Sequence, residues 1–127
     1  MAPAIVHFLV GASIVLLVAT PFVSRTVYPT SWALWLIVIG GLWGLAPDVY
    51  HIAPVYRSEL VAFHDSQWAD LCAFHYTLDR PFVRARYVES IFGSILLFLG
   101  AVSVFSLATW RRSRLIAPET DAPASRT

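Results

Sequence analysis

Charge is almost absent from two long parts of this chain, and that distribution dictates most of what it can fold into. Arg25 is the only charged residue between Met1 and Pro47, and none falls between Ser90 and Trp110. Ten charged residues lie between Asp48 and Glu89, and the other six follow Trp110. A helical crossing of a bilayer needs about 20 predominantly apolar residues, because an unpaired backbone amide in hydrocarbon costs several kcal/mol. Three stretches qualify, at about 4–23, 31–46 and 88–110. The expected fold is all-α, an integral membrane bundle of three transmembrane helices in a single domain over 1–115. With 13% of residues charged and a formal net charge of +1, no basic face for nucleic acid is expected. Membrane lipid is the expected surrounding, and a homo-oligomer or a larger membrane partner is equally open.

The first apolar stretch lacks the basic flank of a secretory signal and its apolar part runs too long, so it reads as an uncleaved helix. Residues 24–30, with Arg25 and two flanking prolines, Pro21 and Pro29, are few enough to force an antiparallel hairpin. The start of the first helix and the end of the second then share one membrane face, which brings His7 level with Asp48 and His51. His64 and His75 follow on the same side. Orientation is undecided by charge, since Arg80, Arg84 and Arg86 precede the third crossing and Arg111, Arg112 and Arg114 follow it.

The second stretch carries Gly40, Gly41 and Gly44, which permit close helix approach, and Trp32, Trp35 and Trp43, which suit interfacial belts. Pro47 disfavours helical geometry at Ala46, so the crossing is expected to end or kink just before Asp48. Over 57–76 the positions Leu60, Val61, His64, Trp68, Leu71, Cys72 and His75 recur every three to four residues. That pattern predicts one amphipathic interfacial helix. The closing residues 116–127 contain two prolines and small polar residues and read as a disordered tail.

There is no glycine-rich phosphate loop, G-x-S-x-G elbow or H-E-x-x-H helix. A single cysteine, Cys72, excludes an internal disulfide and a thiolate cluster, so metal chemistry would fall to histidine and carboxylate. Imidazole and carboxylate together suit a divalent ion such as zinc or manganese. Asp48 and His51 are three apart, which on a helical turn points both to one side, and His7 opposite makes a three-ligand set. The plainer alternative has His7 bonded to a carbonyl, Asp48 capping a helix and His51 in a loop.

His64 and His75 are eleven apart, about 16 Å along a continuous helix, too far to share an ion. Either one completes the site, or the helix breaks near Ser66 and Gln67, or one meets lipid headgroups. His64 with neighbouring Asp65 suits a ligand beside an acid or base. His75 one turn before Asp79 suits an imidazole whose tautomer is fixed by a carboxylate.

Three pieces of sequence, the helix start "IVHFLVGASI", the run "LAPDVYHI" and the histidines of "FHDSQWADLCAFHYTLD", resemble the YdjM-like family of membrane-bound metal-dependent hydrolases. That family opens with a T-H-x-x-x-G helix and closes its next hydrophobic block with L-P-D-x-D-H. The resemblance implies that His7, Asp48 and His51 are metal or catalytic positions and that the protein belongs to a prokaryotic cell membrane. Val6 stands at the family's threonine and Tyr50 at its second aspartate, so the resemblance implies a divergent, degenerate member short of one carboxylate.

The mechanism so implied is metal-assisted hydrolysis, with metal ligands drawn from His7, Asp48, His51 and His75 and with Asp65 and His64 in catalytic roles, Asp65 as base. Arg57, Arg84 and Arg86 would receive the phosphate or ester group of a lipid. Two other classes stand beside it: a small accessory subunit packed on a membrane partner, and a haem anchor, ranked last because its histidines would face each other within the bilayer.

Overall fold

The computed structural model describes residues 3–25 and 32–116. Residues 26–30 of the expected hairpin turn, residue 31 at the start of the second expected stretch, and nearly all of the expected tail, residues 117–127, lie outside them. Every element among the described residues is helical. Helix α1 (Ala4–Val23) and helix α2 (Trp32–Leu45) precede a 3-10 segment, Ala46–His51. Then come α3 (Arg57–His64), a second 3-10 segment (Gln67–Leu71), α4 (His75–Leu78), α5 (Pro81–Arg84) and the long α6 (Tyr87–Ile116).

Three of these helical stretches are long and apolar enough to cross a membrane: Ala4–Val23, Trp32–His51 and Tyr87–Ile116. The second reaches membrane length only because the 3-10 turns extend α2 by six residues. At 1.5 Å per residue, the 30 residues of α6 span about 45 Å, more than a hydrocarbon core of about 30 Å. Leu34, Trp35, Ile39, Leu42, Phe92 and Leu96 are all exposed on the outside of the bundle. A helix apolar around its whole circumference has its polar solvent replaced by either protein or lipid.

Helix α1 packs against both α2 and α6. Toward the C-terminal end of α1, Leu16 and Val23 meet Ala101 and Phe105 of α6, with Leu36 and Ile37 of α2 alongside. Toward its N-terminal end the contact with α2 is backbone on backbone. A Cβ on Gly11 would run into the Gly40 carbonyl oxygen, and one on Gly44 into that of His7. A Cβ on Gly40 would stand 2.8 Å from the Gly11 carbonyl oxygen. These small residues set the helix separation, and with it the distance from His7 to everything that follows α2.

Residues 57–76 do not form the single amphipathic helix expected from their periodicity. Helix α3 stops at His64, and Ser66 turns extended, with φ −99° and ψ 157°. Ala73 and Phe74 then take positive φ, 57° and 62°, reversing the chain ahead of His75. Consecutive left-handed residues with side chains are costly, about 1 kcal/mol or more each. The Asp70 carboxylate holds this reversal, accepting hydrogen bonds from the Thr77 amide and hydroxyl, each at 2.7 Å.

Candidate metal centre

Five side chains from four separate pieces of chain meet at the end of the α1–α2 hairpin. His7 comes from the first turn of α1 and Asp48 from the 3-10 segment that Pro47 starts. His64 closes α3, His75 opens α4, and Asp79 caps the end of α4. His7 and His75 are fully buried, and His64 and Asp79 nearly so. Burial of five ionisable groups together carries a large desolvation penalty unless each finds a partner or an ion.

The donor atoms stand at nearly uniform separations. Asp48 Oδ1 is 3.3 Å from His75 Nε2 and 3.4 Å from His64 Nε2. Asp79 presents Oδ2 to His64 Nε2 at 3.3 Å and Oδ1 to His7 Nε2 at 3.4 Å. N–H···O hydrogen bonds favour 2.9–3.0 Å, so these pairs are too wide to be good ones. Accordingly His7 Nδ1 and Nε2, Asp48 Oδ1, His64 Nε2 and His75 Nε2 are buried without a hydrogen-bond partner. Donors about 2.0–2.1 Å from a zinc ion, at the corners of a tetrahedron, lie about 3.3–3.4 Å apart. Two overlapping groups, His7–His75–Asp79 and Asp48–His64–His75, each keep their ligand atoms within 4.8 Å of one another and could hold a metal ion.

The outward nitrogens fix which lone pairs face inward. His75 Nδ1 lies 3.0 Å from the Gly44 carbonyl oxygen, which can only accept, so Nδ1 carries the hydrogen and Nε2 is left as a bare acceptor. His64 Nδ1 lies 2.9 Å from Asp65 Oδ1, with the same consequence. A carboxylate or carbonyl on the far nitrogen is the usual support of a metal-binding imidazole. The His7 and His75 rings stack, centroids 3.9 Å apart. Since His75 has one inward lone pair and belongs to both groups, the cluster fits one ion rather than two. Burial works against charging His75, but the Asp48 carboxylate and the Gly44 carbonyl more than offset it and raise its pKa above the ordinary histidine value.

Of the residues singled out in the sequence, His7, Asp48, His64 and His75 are brought together, and His51 is not. Its exposed ring packs on Tyr50, centroids 4.0 Å apart, while Tyr50 in turn sets its ring against His64 at 5.0 Å. His51 belongs to neither group of converging donors and lines the apolar groove beside Asp48. His64 and His75, expected to be too distant on a continuous helix to share an ion, have ring centroids 4.9 Å apart. The break after His64 folds the second histidine back over the first. Asp65 is largely exposed and touches the outer nitrogen of His64, away from the converging donors. Asp79 enters as a donor facing His7 and His64, where its sequence position one turn after His75 suggested a partner for that residue. Cys72 is a free thiol whose pKa burial pushes up.

Two openings reach the cluster. An apolar groove lined by Ala4, Leu42, Leu45, Val49 and Ile52 touches Asp48 and His51. A second, smaller cleft of about 270 Å³ touches His64 and Asp79 and carries Arg80 and Arg84. No protein family, curated protein or solved structure matches the chain.

Proposed function

We propose that this protein is a membrane-embedded, metal-dependent hydrolase whose site lies at one membrane face. The observation that carries the reading is the convergence of three buried imidazoles with the carboxylates of Asp48 and Asp79, the inward nitrogens of His7, His64 and His75 having no hydrogen-bond partner. His75 would hold the ion together with His7 and Asp79 or together with Asp48 and His64, the two groups whose ligand atoms converge. A divalent ion bound there supplies Lewis acidity, polarising a carbonyl or phosphoryl oxygen and lowering the pKa of water towards neutrality. Asp65 orients His64 through its outer nitrogen and Gly44 orients His75 through its own. Asp48 keeps some exposure towards the apolar groove, which would give a substrate access to the ion from that side. The exposed apolar surfaces of α1, α2 and α6 support insertion in a bilayer.

Metal analysis of detergent-purified protein tests the reading. Wild type is expected to carry about one equivalent of zinc or manganese, with Asp48→Ala and His75→Ala losing it and His51→Ala retaining it. Hydrolysis of ester and phosphoester substrates by the loaded wild type, absent in the first two variants, completes the test. Folded wild type with no bound metal from any divalent supply favours instead an accessory membrane subunit with a polar histidine and aspartate cap.

A further inference from the structure

The smaller cleft is lined mostly by charged and polar side chains. One wall is the cluster itself, through His64 and Asp79, and the other carries Arg80 and Arg84. Arg80 caps α5 and Arg84 ends it, the Arg84 amide bonding the Arg80 carbonyl oxygen at 3.1 Å, and both side chains line the cleft. The Arg80 guanidinium lies 5.5 Å from the centre of the Tyr76 ring, which also lines the cleft. Arg86, by contrast, stacks on Phe82 at 4.3 Å. Neither Arg86 nor Arg57 lines this cleft, so the basic pair at the site is Arg80 with Arg84.

Charge decides what such a cleft accepts. With a divalent ion among the neutral imidazoles, the negative charges of Asp48 and Asp79 are cancelled. The remaining charges are two arginines against Asp65, whose carboxylate is already engaged by His64. The loaded cleft would therefore be net positive, with two guanidinium-bearing side chains in its lining. Phosphate oxygens match that arrangement, since a guanidinium bonds two of them at once and the ion a third. A neutral amide or ester would leave both arginines unused.

We propose that the cleft between α5 and the histidine cluster binds the phosphate group of the substrate through Arg80 and Arg84, making this a phosphoester site. The assignment rests on the metal-hydrolase reading and goes beyond it in naming the substrate class. A lipid headgroup and a water-soluble phosphate ester share this chemistry.

The test uses the full chain in detergent, loaded with zinc, with inorganic phosphate as the first probe. Wild type is expected to bind phosphate by calorimetry, and the Arg80→Gln, Arg84→Gln double variant about tenfold or more weakly, with zinc content unchanged. Arg57→Gln, outside the cleft, is expected to match wild type. Phosphatidic acid in mixed micelles is then set against glycerol 3-phosphate. Tighter binding of the micellar probe assigns the phosphate to a lipid, and equal binding assigns a soluble ester. Phosphate binding undiminished in the double variant, or absent from zinc-loaded wild type, overturns this assignment while leaving the metal centre standing. Wild type that takes up no divalent ion overturns the metal-hydrolase reading, and this one falls with it.

Discussion

His75 donates its Nδ1 hydrogen to the carbonyl oxygen of Gly44 at 3.0 Å, a bond that ties the start of α4 to the last turn of α2. Gly44 serves the site twice, because its missing side chain also lets the His7 carbonyl lie against it. A methyl group there meets backbone, which has nowhere to yield except by separating the helices. Gly44→Ala is therefore expected to lower metal affinity at least tenfold and to destabilise the protein by about 1–3 kcal/mol. Metal titration and thermal unfolding in detergent measure both. Gly100→Ala is the control: no atom lies within 4 Å of the added carbon, so the helix gains up to about 1 kcal/mol from propensity with metal affinity unchanged.

Asp65→Asn removes charge from the group on the outer nitrogen of His64 while keeping its shape. Such supports are worth about 10–100-fold in metal affinity. Competition against a chelator should give a loss in that range, with full stoichiometry still reached at saturation. An unchanged affinity would mean that the exposed Asp65 contact is not maintained in solution.

The hairpin that sets His7 beside the end of α2 was legible because charge-free stretches have only one way to be arranged across a short turn, and Pro47 marked where regular helix gives way. Asp48 followed from that. A break near Ser66 and Gln67 was one of three readings the sequence left open, and nothing local selected it, because the apolar period through Leu60, Trp68 and Leu71 continues as though the helix did. The reversal is made by Ala73 and Phe74 in left-handed geometry, and neither residue advertises it as glycine or asparagine would. Asp70, seven positions before the threonine it holds, gave no local signal either. His51 illustrates the opposite failure: its spacing from Asp48 suited a shared ligand set, but its exposed ring lies tilted against Tyr50 and joins neither group of donors.

The Asp70 contact is the simplest point at which to undo that reversal. Asp70→Ala leaves the Thr77 amide and hydroxyl without their acceptor and lets Ala73 and Phe74 relax. A destabilisation of about 1–3 kcal/mol is expected from the loss of hydrogen bonds to a charged group. Hydrogen exchange should show the Thr77 amide losing protection first, with α1 and α6 unaffected. Phe74→Gly should act in the other sense on the backbone, removing the left-handed cost, and, added to Asp70→Ala, should restore part of the lost stability.

The pH dependence should reverse sign between the metal-free and the metal-loaded protein. In the metal-free chain the pKa of His75 is raised by Asp48 and Gly44 despite burial. Its charge therefore contributes stability fully below the ordinary histidine pKa of about 6.5. That contribution fades as pH climbs through the raised folded value. An ion needs the neutral imidazole, so in loaded protein every proton on His75 competes with metal, and stabilisation by metal grows as pH rises through the same window. Thermal unfolding in detergent, with and without zinc across pH 5 to 9, should give slopes of opposite sign. Replacing His75 with glutamine should flatten the metal-free slope. Parallel curves with and without zinc would mean that His75 is not a ligand.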